Sequence, residues 1–259
     1  MPEEIELVIF PEIFEILNAV EEGRLDSGFV PVENSLEGSI NITLDTLART
    51  DFLEVTHELI WPVHNCLMAK SGATEIKKIF SHAQPISQCR NYLRKNFPNA
   101  EIISTPSTAR AAEIVATSQP SEGFAAICTK RAGELNNLVE IAAEIQDNMT
   151  NSTRFFEVER KKNFIEENLR GDKVLIICQI DGKKSGALYE ILGEFAFRGV
   201  NMTRIESRPA RTELGAYIFF FDLDTDVDEK ILNESIEAVR RKSIWLKNLG
   251  KFSVITAKK

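Results

Sequence analysis

Long apolar runs are missing from this 259-residue chain. None approaches the roughly 18 residues that a membrane-spanning helix needs, which excludes an integral helical membrane protein. Cysteine is scarce: Cys66, Cys89, Cys128 and Cys178 lie far apart and make no CxxC pair. That excludes a zinc ribbon or a dithiol redox motif and leaves reduced thiols that pack. Histidine is scarcer, with His57, His64 and His82 alone and Pro62 between the first two, so no metal site is expected. Neither GxGxxG nor GxxxxGKS/T occurs, which weighs against a nucleotide, and no cofactor is expected. Positive charge is in the minority, 31 Lys and Arg against 39 Asp and Glu for a net charge of -8, without a concentrated basic patch. A nucleic-acid surface is therefore not expected. The opening MPEEIELVIF is acidic and lacks a small-residue cleavage site. It does not read as a signal peptide, and a cytoplasmic protein is expected.

What is present is an ordinary globular composition, 43% hydrophobic and 27% charged, in a length that exceeds one core. Two domains are expected. Up to about residue 145, strand-like, loop and helix-like stretches alternate. EIELVIF is a short apolar run. PEIFEILNAVEEG starts a helix with Pro11 at its first position and ends it on Gly23. DSGFVPV is a strand, ENSLEGS a loop, INITLDTLART a helix, and DFLEVTHELIWPVHNCLMA holds two strands. IKKIFS, AEIIST and FAAIC are strands, each followed by a helix: ISQCRNYLRKNF with Pro85 near its start, ARAAEIVATS, and RAGELNNL. Such alternation argues for parallel sheets with helices on their faces.

Four times a strand ends in Ser, Thr or Asn close to a helix: at Asn34/Ser35, Ser81, Ser107/Thr108 and Thr129. Each alone is accounted for by an N-cap. In open parallel sheets, however, ligands sit beyond the carboxyl ends of strands, and helix N-termini there favour anions. Together the loops suggest a cleft for a small ligand with more than one carboxylate or phosphate. Beyond TRFFEV, the stretch ERKKNFIEENLRG is charged and poorly periodic, a linker or an exposed helical connector. DKVLIICQI, SGALYEILGEFAFRG, VNMTRIESR, ELGAYIFFFDLD, DEKILNESIEAVRRKS and IWLKNLGKF then read in the βαββαβ order of a ferredoxin-like sandwich. That order by itself says nothing of function.

Three segments, VPVENSLEGSINITLDTL, FSHAQPISQC and NSTRFF, occur in that order and together resemble the prephenate dehydratase family. SGALYEIL followed by VNMTRIESRPAR resembles the ACT regulatory domain that the family carries, with its Glu-Ser-Arg-Pro signature. The resemblance implies an α/β fold in which a two-lobed, periplasmic-binding-protein-like catalytic domain over residues 1–158 precedes a ferredoxin-like ACT domain over 172–259. Lobe 1 would take about 1–62 and 146–158, lobe 2 about 63–145, and a linker 159–171.

The substrate so implied, prephenate, has two carboxylates and a ring hydroxyl. The family motif places Glu33, Asn34 and Ser35, then Ser81, Gln88, Ser107 and Thr108, and finally Thr153 and Arg154 in the cleft between the lobes. The ring carboxylate leaves as carbon dioxide, the ring hydroxyl as water, and phenylpyruvate forms. Aromatisation drives the step, so the catalyst mainly eases departure of hydroxide, which a hydroxyl donor can do in a water-poor cleft. The resemblance gives that role to Thr153, with Arg154 binding or orienting a carboxylate or sharpening the local field. Because an alcohol is a poor proton donor, Glu33 held protonated is the alternative acid.

In the ACT domain, Gly186, Ala187 and Leu188 would form the turn into a helix whose N–H groups meet an amino-acid carboxylate. The resemblance implies phenylalanine bound between two such domains, near Asn201 and Glu206, Ser207, Arg208 and Pro209. Feedback inhibition follows, and pairing of the domains gives a homodimer or homotetramer. Members of the family also begin with a strand and a GPxGTFS-type loop, and nothing upstream of EIELVIF resembles it. Either the start is placed too late or the catalytic lobe is impaired. Two alternatives therefore stay open: a phenylalanine-binding regulatory protein without turnover, and an arogenate dehydratase.

Overall fold

The computed structural model describes residues 5–161, 171–212 and 215–257; most of the expected charged connector, 162–170, lies outside them. In chain order the elements are α1 (Ile13–Glu21), β1 (Ser27–Asn34), β2 (Gly38–Ser39), α2 (Asn41–Arg49), β3 (Leu53–Pro62), β4 (Cys66–Ala69), β5 (Lys78–Ser81), α3 (Ala83–Gln88) and α4 (Arg90–Asn96). There follow β6 (Glu101–Ser104), α5 (Thr108–Thr117), β7 (Phe124–Cys128), α6 (Lys130–Leu135), β8 (Val139–Ala142) and β9 (Ser152–Arg160). The last six are β10 (Lys173–Gln179), α7 (Ala187–Ala196), β11 (Met202–Pro209), β12 (Tyr217–Asp224), α8 (Glu229–Lys242) and β13 (Trp245–Thr256). Two compact units result, Met1–Trp61 with Ser152–Lys259, and Pro62–Asn151. No described helix is long and apolar enough to cross a membrane.

The Pro62–Asn151 unit is built on a sheet of order β6-β5-β7-β4-β8. β5 runs parallel to β6 and β7, while β4 is antiparallel to β7 and β8. The expected parallel arrangement thus holds for the three strands whose connections are helices, and the short β8, absent from the sequence reading, closes an antiparallel edge. Alternation along β5 sends Ile79 into one core, with Leu93 and Ile127, and Phe80 into another, with Ala111 and Val115. The single helix expected after β5 starts earlier, at Ala83, and breaks at Cys89 into α3 and α4. The four thiols are all unpaired and buried. Burial pushes those of Cys89 and Cys128 up to about 12 and that of Cys178 up to about 11, so they pack rather than react.

In the other unit a sheet of order β11-β12-β10-β13-β3-β9-β1-β2 carries α1 and α2 at one end and α7 and α8 at the other. β10, α7, β11, β12, α8 and β13 form the expected βαββαβ, antiparallel throughout. β13 outruns the expected last strand. Its first part pairs with β10, and Ser253–Thr256 lie parallel beside His57–Ile60 of β3, which fuses the two halves into one sheet. Val174, Ile176, Phe221 and Leu223 face a core shared with Ile191, Phe195 and Ile236 of the two helices. Leu175, Ile177, Ile218 and Phe220, on the opposite face, share a core with Leu17, Val30, Val32, Leu44, Phe156 and Val158. The sheet therefore folds back so that β11 and β12 meet β1 and β9.

Two expectations change here. β1 pairs with β9 antiparallel, so this half is not the parallel sheet that alternation suggested. Residues 5–10 form no strand and expose Ile5, Leu7 and Ile9. The two-residue β2 pairs only with Glu33 and Asn34, so among the described residues the edge of β1 over 27–31 on the side away from β9 has no strand beside it, and residues 5–10 do not fill it. Helix α1 begins at Ile13 after Glu12 as N-cap, which leaves Pro11 outside its first turn.

The α1–β1 contact is close because Gly28 has no side chain. A methyl group there would lie 2.8 Å from Ile16 Cγ2 and 3.0 Å from Val20 Cγ2. Gly28→Ala is expected to destabilise the unit by about 1–3 kcal/mol through overpacking. Thermal unfolding checks this; an unchanged midpoint would show that α1 can shift at little cost.

Candidate active site

The densest gathering of family-motif residues is at the joined ends of β1 and β9. A register shift between Pro31 and Glu33 sets Glu33 opposite Arg154 and Asn34 opposite Thr153. Successive side chains of a strand point to opposite faces, so the two cross-strand pairs occupy different sides of the ladder. On one side Asn34 Nδ2 donates to Thr153 Oγ1 at 3.1 Å. The Asn34 amide is oriented by its Oδ1, which accepts from the N–H groups of Leu36 at 3.0 Å and Glu37 at 3.2 Å. Ser35 locks the turn to the start of β9: its N–H donates to Ser152 O at 2.9 Å, and its Oγ accepts from Ser152 N at 3.0 Å. Asn34 and Ser35 thus build a hairpin turn rather than a helix cap. With a lone pair of Thr153 Oγ1 engaged by Asn34, the hydroxyl presents its own proton.

On the other side lies a cluster of charges. Arg154 Nη2 donates to Glu58 Oε2 at 2.5 Å, and Nη1 lies 2.6 Å from Asp222 Oδ2 and 3.8 Å from Glu33 Oε2. Its guanidinium stacks over Phe156, 4.7 Å from the ring centroid. Arg204 reaches Glu33 Oε2 through Nε at 3.0 Å, donates from Nη2 to Ser39 Oγ at 2.8 Å, and lies 3.7 Å from Glu206. Lys173 Nζ is 3.5 Å from Glu58 Oε1. The Glu58 and Asp222 side chains are 1% exposed, and that of Arg154 is 11%. Burial alone would push the Arg154 pKa down, but Asp222 and Glu58 more than offset it and hold the guanidinium charged.

Sequence reasoning grouped Glu33, Thr153 and Arg154 in one cleft, whereas the alternation of β1 and β9 separates Thr153 from the other two. It missed Glu58, Asp222, Arg204 and Lys173. The available signal was a charged residue at an inward position of an apolar strand, as in THELI and FFFDL, since a buried charge needs a partner.

Within Pro62–Asn151 the motif residues collect at the carboxyl ends of neighbouring parallel strands. Ser81, fully buried at the end of β5, donates its hydroxyl to Ile127 O at 2.7 Å, and His82 rather than Ser81 caps α3. Ser107 caps α5, its Oγ accepting from Arg110 N at 3.0 Å, with Thr108 the first helical residue. Thr129 caps α6 in the same way. Gln88 ends α3 and accepts from Asn65 Nδ2 at 3.5 Å.

In the βαββαβ part, Gly186 precedes α7 with φ of 79°, a left-handed conformation that suits glycine, and Ala187 and Leu188 open the helix. Asn201 donates to Asp224 Oδ2 at 2.6 Å. Along β11, Ser207 and Pro209 are exposed while Glu206 and Arg208 are half-buried. Arg208 is held by α2: Nη1 donates to Asn41 Oδ1 at 2.6 Å, and Nε and Nη2 each donate to Asp45 Oδ1 at 3.1 Å. Arg211 also pairs with Asp45. Among the described residues no group of three His, Cys, Asp or Glu is arranged for a metal.

Comparison with known proteins agrees with this layout. The prephenate dehydratase family model matches residues 1–163, and the ACT domain model matches 177–234. A prephenate dehydratase of Lactococcus lactis subsp. cremoris is 35% identical over 250 residues, 96% of this chain and 89% of that protein. One of Methanocaldococcus jannaschii is 36% identical over 242 residues, 93% of this chain and 86% of its own. The crystal structure of an Arthrobacter aurescens prephenate dehydratase in complex with L-Phe superposes with a TM-score of 0.82 at 33% identity, covering 94% of this chain and 80% of that one. The chain belongs to the prephenate dehydratase family and carries that family's domain followed by an ACT domain.

Proposed function

We propose that the chain converts prephenate to phenylpyruvate under feedback control by phenylalanine, with Thr153 acting on the leaving hydroxyl. The observation that carries the assignment is the Asn34–Thr153 hydrogen bond, which uses an acceptor site of the hydroxyl and leaves its proton for a ligand. In the reaction the bond to the ring carboxylate breaks, its electron pair enters the ring, and the ring C–O bond breaks. The departing hydroxide takes up one proton and leaves as water. Thr153 stabilises the charge that develops on that oxygen. Glu33 is already bound to two guanidinium groups, which suits an ion-pair partner better than an acid. Arg154, with Glu58 and Asp222 on its two terminal nitrogens, anchors the strand end instead of receiving a substrate carboxylate. Within Pro62–Asn151, Gln88, Ser107 and Thr108 are the residues placed to bind substrate, and the N–H groups opening α5 suit a carboxylate, whereas Ser81 is fully buried and spends its hydroxyl on Ile127 O.

Residues 1–158 form the catalytic domain and 172–259 the regulatory one. Phenylalanine binds at Gly186–Leu188, Asn201 and Glu206–Pro209, where β11, the end strand of its sheet, offers an edge to a second copy in a dimer or tetramer. Phenylpyruvate formation from prephenate, with and without phenylalanine and beside arogenate, tests the whole reading. Turnover that phenylalanine suppresses supports it. Phenylalanine binding without turnover would favour the regulatory-protein alternative, and faster reaction of arogenate the other. Glu206→Ala is expected to raise the phenylalanine concentration for half-inhibition by about 10- to 100-fold, the loss of one hydrogen bond to a charged amine.

A further inference from the structure

The Glu33/Arg154 pair of the β1–β9 ladder faces a second cross-strand pair, Arg204/Asp222 of the β11–β12 ladder. Opposite charges meet across the gap: Arg154 Nη1 is 2.6 Å from Asp222 Oδ2, and Arg204 Nε is 3.0 Å from Glu33 Oε2. Each arginine also has a buried nitrogen, Nε of Arg154 and Nη1 of Arg204, without a hydrogen-bond partner among the described residues, and neither Asp222 oxygen makes a well-aligned hydrogen bond, so the Arg154–Asp222 contact is a buried ion pair. The placement of the two guanidiniums therefore depends heavily on the carboxylates they meet, and at this burial such attractions are strong.

Arg154 precedes the aromatic anchor Phe156 and follows Thr153, so wherever its side chain is held, the start of β9 is held too. The Thr153 hydroxyl projects from the opposite face of that same short stretch. Catalytic alignment is sensitive to shifts of about an ångström.

We propose that Asp222, borne by the regulatory half of the sheet, is a positioning residue for Thr153 and acts through Arg154. The proposal rests on Thr153 being the group that meets the leaving hydroxyl. It makes the β11–β12 ladder part of the support of the catalytic site, so that the regulatory fold helps to set the rate even without phenylalanine.

The test is a double-mutant cycle of Asp222→Asn and Thr153→Ala, read as kcat and KM for prephenate, with the thermal midpoint of each protein recorded. Asp222→Asn is expected to lower kcat on the order of 10- to 100-fold with a much smaller change in KM. In the Thr153→Ala background it should change kcat little, because the hydroxyl it aligns is gone. A purely structural role for Asp222 predicts the same fractional loss in both backgrounds, and that result, or a wild-type kcat for Asp222→Asn, overturns the proposal. A wild-type kcat for Thr153→Ala alone, or no turnover by the unaltered chain, would overturn the functional reading and this proposal with it. Should Asp222→Asn fail to fold, Arg204→Gln, which cuts the companion bridge to Glu33, enters the same cycle with the same expected and overturning results.

Discussion

Thr153→Ala is expected to lower phenylpyruvate formation from prephenate by about 100- to 1,000-fold, the usual loss when a preorganised donor to developing charge is removed. The change should appear in kcat, because the hydroxyl contributes most when the ring C–O bond is breaking and little when substrate first binds. Stability should barely respond. The Thr153 side chain makes one hydrogen bond, to Asn34 Nδ2, at the start of a strand whose core residues are Phe156 and Val158. Thr153→Ser, which keeps the hydroxyl, should retain far more activity than the alanine variant. Rates of formation measured for the two side by side, with thermal midpoints, decide the matter. Equal activity of Ala and Ser variants would remove the hydroxyl from the mechanism.

Arg154→Met is expected to show the opposite balance. Methionine fills much of the space but leaves Glu58 and Asp222, both 1% exposed, without their shared cation. Breaking a buried ion pair from one side costs about 3–5 kcal/mol, since the remaining charges stay desolvated. For a protein of this size the midpoint of thermal unfolding should fall on the order of 10 °C. Adding Glu58→Gln and Asp222→Asn to Arg154→Met should recover a large part of that loss, because neutral amides no longer require the guanidinium. A single variant as stable as the original would mean that the carboxylates find other partners or take up protons. Lys173, 3.5 Å from Glu58, can relieve only one of them.

The same two positions show how far the sequence could be read. NSTRFF is adjacent in the chain, and its resemblance to a family motif picked out Thr153 and Arg154 directly. Their separation onto two faces followed from nothing more than strand alternation, once β9 was known to be extended through both. What no local pattern contained was the register. The shift at Pro31/Glu33 decides that Asn34, and not Glu33, meets Thr153. The partners of Arg154 come from strands that sequence reading assigned to separate domains.

Arg208 makes a similar point. The Glu-Ser-Arg-Pro signature marks it for a ligand, yet its guanidinium is bound to Asp45 and Asn41 of α2, more than 160 positions away. Asp45 lies in a run, 43–47, that is buried all round α2, so no helical period singled it out or named its partner. Residues 5–10 err in the other direction: the run is apolar, yet it pairs with no described strand and stays exposed, because a strand needs backbone partners as well as apolar side chains.

By itself the sequence determined the family, the βαββαβ order of its second half, most helices and strands, and the absence of any ligand-spaced cysteine or histidine set. These are local properties, written in hydrophobic period, capping residues and short motifs within a few turns of chain. Only the tertiary structure decided that β13 ends beside β3, that the sheet folds back, and that Arg154 meets Asp222 while Asn34 meets Thr153. Such contacts join residues far apart in the chain, 119 positions for Asn34 and Thr153 and 165 for Ser39 and Arg204. Their choice depends on which charged and apolar faces can be buried together, a condition on the whole unit that no single segment carries.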